Sequence, residues 1–265
     1  MPLLIGADPE LFLKKNGKFH SAHGIIPGTK RRPHKVEHGA VQVDGLALEV
    51  NIDPARSPEE FVYNLSSVLS SLRRMVPEDM EFDYSATAMF DVEHMISQPQ
   101  EALELGCEPD YNAYSMDINP RPDQHPIMRS AGGHFHFGWT KGALPLEDEH
   151  FSRCGTVIRQ MDYGLGLVST IYDKDDKRKQ LYGAAGAFRP KRYGCEYRSA
   201  SNWWLQDPKY MILMYENAHL MWNWLESGQR LEEQYGDEAQ KIINSNDADR
   251  AVELCEEIGI PISLQ

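Results

Sequence analysis

Hydrophobic and polar residues alternate along two N-terminal stretches, and a turn dipeptide interrupts each of them. The segments ELFLKK and KFHSA flank Asn16-Gly17, and the segments AVQV and LALEVNI flank Asp44-Gly45. Both dipeptides accept the positive φ of a two-residue hairpin turn. The pattern therefore predicts two antiparallel strand pairs.

A helix-forming pattern follows the second hairpin. Ser57 is a capping residue, Pro58 suits the first helical position, and Glu60 stands three residues after the cap. Apolar residues then recur at helical spacing at Phe61, Leu65, Val68, Leu69 and Leu72. This spacing predicts an amphipathic helix that packs on the sheet.

The middle of the chain combines strand patterns with a proline-rich segment. MEFDYSATAMF and MRSAGGHFHFGW each predict one strand. Residues 91–126, with prolines at 99, 109, 120, 122 and 126, predict a loop with one short helix. We expect this segment, which contains Cys107-Glu108-Pro109-Asp110, to be a lid or a substrate-facing loop.

The second half of the chain is mainly helical in pattern. LEDEHFSRCGTVIRQMDYGLGLVSTIYD predicts a helix in which Gly155, Gly164 and Gly166 indicate close packing on the sheet. The charged run DKDDKRK predicts an exposed turn or loop, with a flexible lid as the alternative. GCEYRSA predicts a further strand.

The C-terminal quarter predicts helices alone. Asp207-Pro208 begins a helix with the sequence MILMYENAHLMWNWLE that ends at Gly228, and its Met and Trp residues are expected in the core. Residues 231–258 predict two polar helices broken around Asn244-Ser245-Asn246. With no repeat and no long linker, residues 1–265 are predicted to form one α+β domain, an antiparallel β-sheet with helices packed on one face.

Composition excludes several classes of protein. The 265 residues include 27 Lys and Arg against 40 Asp and Glu, a net charge of -13, and 41% are hydrophobic. Disordered and fibrous chains are excluded, and the acidic charge argues against nucleic acid as a partner. No apolar run reaches membrane-span length, the N-terminus lacks a charged leader, and the four cysteines form no CxxC pair. We therefore expect a cytoplasmic protein without a membrane partner.

Acidic residues occur where alternate strand positions share a face. Asp8 and Glu10 are two residues apart and flanked by apolar residues, so a bound cation would offset their repulsion. An edge strand with solvated charges is the alternative. Glu49 stands in an apolar run near Asp44, where a buried carboxylate requires a cation or a metal ion.

Histidines and cations occupy two later strand patterns. His134 and His136 share one face with Gly132-Gly133 before them, which favours ligand binding over a pair of structural histidines. Glu196 and Arg198 share another face, and three cations precede them: Arg189, Lys191 and Arg192. Such a cluster suits phosphate, with surface ion pairs as the alternative.

These donors are carboxylate oxygens and imidazole nitrogens without thiolate, which suits Mg²⁺ or Mn²⁺. Divalent ions beside arginines indicate a nucleoside triphosphate. The chain has neither a GxxxxGK[ST] loop nor a strand-GxGxxG-helix unit, so antiparallel strands would have to carry the nucleotide site.

The stretches GADPE, DGLALEVN, GGHFHFG and GAFRPKRYGCEYRS, in this order, resemble the phage-encoded carboxyl-amine ligases (amidoligases, type 2) of the glutamine synthetase and glutamate-cysteine ligase superfamily. The resemblance covers roughly residues 3–205 and leaves residues 206–265 as C-terminal helices. It implies a glutamine-synthetase-like catalytic domain. It also implies a reaction in which ATP phosphorylates a carboxylate and an amine displaces the phosphate, giving an amide, ADP and phosphate.

The resemblance assigns a role to individual residues. It implies two or more Mg²⁺ or Mn²⁺ ions with Asp8, Glu10, Glu49, His134 and Glu196 as ligands. His136 would contact the ATP phosphates together with Arg189, Lys191 and Arg192, and Arg198 would lie near the transferred phosphoryl group. Arg189 and Arg198 are the expected catalytic residues.

Two positions depart from the family pattern. Asp8 replaces a Glu, which shortens the side chain by one methylene. An acid expected about seven residues before Glu49 is Gln42 here, so Asp44 is the candidate for the missing metal ligand.

Other functions remain open at this point. A guanidino-kinase-like phosphotransferase would share the architecture without forming an amide, and a metal-dependent HxH hydrolase or a non-catalytic phage protein are further alternatives. The substrates of a ligase would be a small-molecule or peptide carboxylate and an amine, and a homo-oligomer is possible. A phage-encoded protein of this kind would act in the host cytoplasm.

Overall fold

The computed structural model describes residues 2–104, 110–120, 123 and 125–264. Its strands are β1 Leu4–Ala7, β2 Glu10–Lys15, β3 Lys18–His20, β4 His34–Val36, β5 Gly39–Asp44, β6 Ala47–Ile52, β7 Glu81–Asp83, β8 Thr87–Met89, β9 Tyr111–Asn112, β10 Met128–Ser130, β11 Phe135–Gly138, β12 Ala187–Lys191 and β13 Gly194–Tyr197. Its α-helices are α1 Pro58–Met75, α2 Val92–Ile96, α3 Gln100–Leu103, α4 Asp148–Met161, α5 Leu167–Tyr172, α6 Asp176–Leu181, α7 Pro208–Glu226, α8 Leu231–Tyr235, α9 Glu238–Ser245 and α10 Ala248–Ile258. A π-helical segment, Asp162–Gly166, and a 3-10 helix, Asn202–Gln206, complete the elements.

Both predicted hairpins are confirmed, and the second turn lies one residue later than predicted. In the first hairpin, Asn16 and Gly17 have φ values of 52° and 75° between β2 and β3. In the second, Asp44 pairs with Ala47, so the turn residues are Gly45 and Leu46 rather than Asp44 and Gly45. Gly45 supplies the positive φ of 60°.

Helix α1 is confirmed with its predicted cap. The Ser57 hydroxyl accepts a hydrogen bond of 3.2 Å from the backbone N–H of Glu60. The buried ring of Phe61 stacks on Phe135 of β11, with 5.7 Å between the ring centroids. The apolar face of α1 therefore packs against the apolar face of the sheet.

Two predicted strands are each divided. MEFDYSATAMF breaks after β7, where the Asp83 side chain accepts a hydrogen bond from the backbone N–H of Ser85, and resumes as β8. MRSAGGHFHFGW breaks at Gly132-Gly133 between β10 and β11. Strands β8 and β10 pair with each other in a separate two-stranded sheet. A local side-chain hydrogen bond divides the first stretch, and the pairing of β10 with β8 divides the second stretch at its glycine pair.

The Pro-rich segment contains more structure than predicted. Residues 91–126 include the two short helices α2 and α3 and the strand β9, whereas one short helix was expected. Of the predicted lid, residues 107–109 lie outside the described residues, and Asp110 is described.

The long glycine-containing helix is confirmed, with an internal π-helical segment. A Cβ atom at Gly164 would overlap Met221 of α7, and one at Gly155 would lie 2.5 Å from the sulfur of Met116. A Cβ atom at Gly166 would overlap Ile243 of α9 and the hydroxyl of Tyr197 on β13. The glycines thus permit close packing, mainly on helices and a loop rather than on the sheet as predicted.

The interpretation of DKDDKRK as an exposed turn or loop was wrong. The run leads into helix α6, and Arg178 is 2% exposed. The Arg178 guanidinium donates hydrogen bonds of 2.9, 2.7 and 2.9 Å to the carbonyl oxygens of Ala131, Ser199 and Arg198. Backbone acceptors therefore satisfy this buried cation, which makes its burial tolerable.

The C-terminal helices follow the predicted order. Asp207 caps α7, which ends two residues before Gly228, and its Met211, Met214, Met221 and Trp222 side chains are buried as predicted. The region 231–258 holds three helices instead of two, because α8 ends at Gly236 before α9 begins. The predicted break occurs at Asn246, which adopts the left-handed conformation with φ 55°.

The sheets position the candidate site. One sheet has the order β1-β11-β13-β12-β9, and a second has the order β3-β2-β6-β5-β4 with β7 on β2. All pairs between these strands are antiparallel, which confirms the α+β class with antiparallel sheets. The chain crosses from the first sheet to the second at Asp8-Pro9, where the Pro9 carbonyl accepts a hydrogen bond from Val50. No helix among the described residues is long and apolar enough to cross a bilayer.

Candidate functional site

Strand register aligns the predicted site residues in two rows that run across the sheets. Antiparallel neighbours directly opposite each other place their side chains on the same face. In the second sheet the row crosses β5, β6 and β2, and in the first sheet it crosses β12, β13 and β11. The rows are Gln42, Glu49 and Glu10, and Arg189, Glu196 and His136.

The first group of facing side chains contains only acids, and we name it the carboxylate trio. Oxygen atoms of Glu10, Asp44 and Glu49 lie within 4.8 Å of one another. The Glu10 carboxylate accepts a hydrogen bond of 2.6 Å from the backbone N–H of Gly132. Lys30 contacts Asp44 at 2.9 Å.

Burial and mutual repulsion both oppose ionisation in the carboxylate trio. Burial and the charge of Asp44 raise the pKa of Glu10 to about 7. Burial, Asp8 and Asp44 raise the pKa of Glu49 well above its ordinary value. Carboxylates that resist ionisation together are stabilised by a cation placed among them, so these donors fit a divalent ion.

The second group, which we name the mixed trio, consists of Asp8, His136 and Glu196. Their ligand atoms also lie within 4.8 Å of one another. His136 Nε2 is 2.9 Å from Asp8 Oδ1. His134 lies beside the trio, with Nδ1 3.3 Å from Asp8 Oδ1 and 3.7 Å from Glu196 Oε1.

Cations compensate the mixed trio. Although burial opposes ionisation, Arg198, His136 and Lys191 hold the pKa of Glu196 well below its ordinary value. Lys191 Nζ is 2.7 Å from one Glu196 oxygen, and Arg198 donates to the other. Burial and the positive charge of Arg198 lower the pKa of His134 to about 4, so its imidazole is neutral at neutral pH.

The mixed trio also meets a test for metal binding. Asp8 Oδ1, His136 Nε2 and Glu196 Oε2 are buried, and their short contacts, His136 with Asp8 and Lys191 with Glu196, are ion pairs without hydrogen-bond geometry. Buried polar atoms normally find hydrogen-bond partners. The two carboxylate oxygens and one imidazole nitrogen fit Mg²⁺ or Mn²⁺.

Glycine and Arg178 set the position of the histidines. The His134 ring folds back over Gly132, so a Cβ atom at Gly132 would overlap the imidazole. A Cβ atom at Gly133 would overlap the carbonyl oxygen of Ser201. Arg178 ties the carbonyl of Ala131 to that of Arg198 and so joins the segment that enters His134 to the segment that leaves β13.

Asp110 is a site residue that the sequence reasoning placed only in a lid. Its Oδ1 atom lies 2.9 Å from Arg189 Nε and 2.9 Å from Arg198 Nε. These contacts connect the residue that precedes β9 to the two arginines predicted to be catalytic. No local signal marks Asp110, because both partners are distant in sequence.

The structure gathers most of the predicted site residues in one place. The assembled residues are Asp8, Glu10, Asp44, Glu49, His134, His136, Arg189, Lys191, Glu196 and Arg198. Arg192 is exposed in the turn between β12 and β13. The geometry also puts His136 into the mixed trio, with His134 beside it, whereas the resemblance gave the metal to His134 and the phosphates to His136.

A cleft elsewhere on the surface contains none of the predicted site residues. It has a volume of about 580 Å³, and its walls include Tyr84, Thr87, Tyr172, Asp173 and Trp203. This cleft is thus separate from the candidate site.

Comparison with known proteins gives one family match and one similar solved structure. A family model described as phage phiEco32-like COOH-NH2 ligase type 2 matches residues 124–242. The matched stretch contains every histidine, arginine and lysine predicted in the site and Glu196, but it excludes the carboxylate trio. No curated protein matches the chain.

Among solved structures, the chain is similar to a bifunctional glutathione synthetase from Pasteurella multocida, with a TM-score of 0.45 and 11% sequence identity. The match covers 98% of this chain and 50% of that one, so this chain spans about half the length of that enzyme.

Proposed function

We propose that this protein is an ATP-dependent carboxylate-amine ligase that forms an amide bond through an acyl phosphate and releases ADP and phosphate. The observation that carries the proposal is the adjacency of two ligand trios with Arg189, Lys191 and Arg198 at one end. The ligase family model over residues 124–242 supports it. We further propose that residues 1–265 form one glutamine-synthetase-like catalytic domain.

The reaction needs a charged arrangement of this kind. A carboxylate resists attack by an amine because of its negative charge, and phosphorylation converts one of its oxygens into a leaving group. Divalent ions held by Asp8, Glu10, Asp44, Glu49, His136 and Glu196, with His134 adjacent, would neutralise phosphate charge. The chain's own residues then have to bind, orient and shield the reactants.

The arginines are placed to meet the phosphoryl group. Arg198 and Arg189 both approach the Glu196 carboxylate, and Lys191 contacts its other oxygen. A phosphoryl oxygen beside the mixed trio would therefore lie within the field of three cations, which favours the charge that develops during transfer. Arg192, exposed in the turn between β12 and β13, would add a contact to the remaining phosphates.

Asp110 holds this pair of arginines in place. Its carboxylate contacts the Nε atom of each, and Glu196 contacts an Nη1 atom of each. The guanidinium planes are thereby fixed from two sides before substrate binds. Such preorganisation lowers the cost of orienting charge during the reaction.

Hydroxylamine provides the test of the reaction class. Purified protein, ATP, Mg²⁺ and a panel of amino acid and peptide carboxylates should yield an ATP-dependent hydroxamate, because hydroxylamine captures an acyl phosphate. Glu49→Gln should reduce hydroxamate formation by about a hundredfold or more through loss of ion binding. The matched control Glu216→Gln, at an exposed position on α7, should retain the activity.

A contrary result is equally specific. A phosphorylated amine without hydroxamate, in reactions that consume ATP, would replace the ligase by a guanidino-kinase-like phosphotransferase. Mass spectrometry of the same mixtures distinguishes the two products, since amide formation removes one water from the joined substrates.

A further inference from the structure

One N-terminal segment reverses the charge of the chain. Between Leu11 and Val36 there are seven Lys or Arg residues and no Asp or Glu, although the whole protein carries a net charge of -13. Three of these cations are paired in the fold: Lys14 with Asp83, Lys15 with Asp79 and Lys18 with Asp91. The remaining four occur together at residues 30–35.

We name residues 29–35 the basic lip. The turn from Thr29 to Arg32 is closed by backbone hydrogen bonds of 3.1 and 2.9 Å in both directions between these two residues. The Gly28 carbonyl accepts a hydrogen bond from Val43, and at Gly28, with φ +97°, a Cβ atom would overlap the Val41 carbonyl oxygen. The lip is therefore fixed against β5, one residue from Asp44.

The lip places exposed cations beside the carboxylate trio. Lys30 contacts Asp44 at 2.9 Å. The side chains of Arg31, Arg32 and Lys35 are exposed, and none of them forms an ion pair with a carboxylate of the described residues. Three positive charges on an acidic protein thus face solvent on the segment that contacts one end of the site through Lys30.

Cations lie beside both the mixed trio and the carboxylate trio. At one end, Lys191 and Arg198 contact Glu196 on β13. At the other end, the lip contacts Asp44 at the end of β5. Lys191 and Arg198 face the mixed trio and suit the phosphates of a nucleotide. The basic lip is therefore available for a second anion.

We propose that the basic lip binds an acidic peptide with several carboxylates, and that such a peptide is the carboxylate substrate. This inference rests on the proposed ligase function. A negatively charged protein repels acidic ligands except where local cations attract them, and the lip supplies that attraction beside the reaction site. Its cations lie along an exposed segment, so they match charges spaced along an extended chain better than a single enclosed anion.

A binding measurement without ATP tests the proposal. Fluorescein-labelled hexaglutamate would be titrated with the protein in Mg²⁺ at about 0.02 M and about 0.15 M salt, with anisotropy as the readout. The triple variant Arg31→Ala, Arg32→Ala, Lys35→Ala should weaken binding about tenfold at the lower salt, and the difference should shrink at the higher salt.

The matched control removes the same charge from other exposed positions: Arg56→Ala, Arg230→Ala, Lys141→Ala. Its affinity should stay within about twofold of the unmodified protein. Equal losses in the two triple variants, or no hexaglutamate binding at all, would overturn the proposal. Circular dichroism and thermal unfolding of both variants verify that each is folded.

Inorganic triphosphate separates the two possible anions. If the lip variant loses triphosphate binding and keeps hexaglutamate binding, the lip is a nucleotide-phosphate site and the proposal is wrong. Because the titration contains no ATP, failure to consume ATP in the hydroxamate assay would contradict the ligase function separately from the binding result. In a functional ligase, the lip variant should raise the KM for hexaglutamate and leave the KM for ATP unchanged.

Discussion

The carboxylate trio and the mixed trio have the same number of donors but opposite charge balance. Burial and the repulsion among Glu10, Asp44 and Glu49 raise the pKa values of Glu10 and Glu49. In the mixed trio, cations on the same face hold the pKa of Glu196 below its ordinary value. A site of acids depends on an added ion for its charge balance, whereas a compensated site is stable without one.

The difference follows from which strands supply each trio. The row across strands β5, β6 and β2 contains the amide of Gln42 and the carboxylates of Glu49 and Glu10. Lys30 contacts Asp44 from a neighbouring turn. Strand β12 instead places Arg189 and Lys191 on the face that carries Glu196. The carboxylate trio is thus arranged to bind a cation, and the mixed trio can hold a cation and an anion together.

Stability should respond in opposite directions to the same chemical change. Without metal, Glu196→Gln should lower the free energy of unfolding by about 3 kcal/mol, because it removes the carboxylate that pairs with Lys191 and leaves Arg198 with Asp110 alone. Glu49→Gln should raise it by about 1 kcal/mol by relieving repulsion. Urea unfolding in EDTA measures both values, and a loss in both variants would remove the distinction between the trios.

The planar guanidinium of Arg198 should matter beyond its charge. Arg198→Lys should lower kcat by about a hundredfold while the KM for ATP changes by less than about threefold, since Lys cannot contact Glu196, Asp110 and a phosphoryl oxygen with one fixed fork. Steady-state kinetics with hydroxylamine give both constants. Arg56→Lys, at an exposed position, is the control. An unchanged kcat in Arg198→Lys would show that only the positive charge at this position matters, and not the planar shape of the guanidinium.

The carboxylate trio should make stability fall with rising pH. The folded-state pKa of Glu10 is about 7, above its ordinary value of 4.5, so the protonated form favours folding. Its contribution is complete below about pH 4.5 and is lost as the pH rises through about 7. Glu10→Gln should therefore stabilise the metal-free protein by about 2 kcal/mol at about pH 8 and have little effect at about pH 4.

Urea unfolding across this range, in EDTA, provides the measurement, with Glu216→Gln as the control. A stabilisation that is the same at both ends of the pH range would exclude titration of Glu10 as the cause. Added Mg²⁺ should stabilise the unmodified protein at the alkaline end, because an ion among the carboxylates offsets their repulsion.

Much of this architecture could be predicted from local sequence. Asn16-Gly17 determines one hairpin, and Ser57-Pro58 determines the start of α1. Positions two residues apart share a strand face, which is why His134 and His136 were expected to face the same site. Local turn, cap and alternation signals suffice wherever the interacting residues are close in the chain.

The errors involve partners that are distant in sequence. Arg178 was taken for a solvated charge because its acceptors are the carbonyls of residues 131, 198 and 199, and no side-chain pattern marks a backbone acceptor. Asp110 was missed as an arginine contact for the same reason. The division of MRSAGGHFHFGW arose because β10 pairs with β8 in another sheet, although its alternation continues through the break.

The corner at Asp8-Pro9-Glu10 makes one tripeptide a member of both trios. Asp8 belongs to the mixed trio and Glu10 to the carboxylate trio, with only Pro9 between them. Covalent geometry limits the separation of their Cα atoms to about 7 Å, whatever the rest of the sheet does. The backbone therefore limits the distance between the two trios. The two sites form a single unit that can be transferred to another scaffold only as a whole.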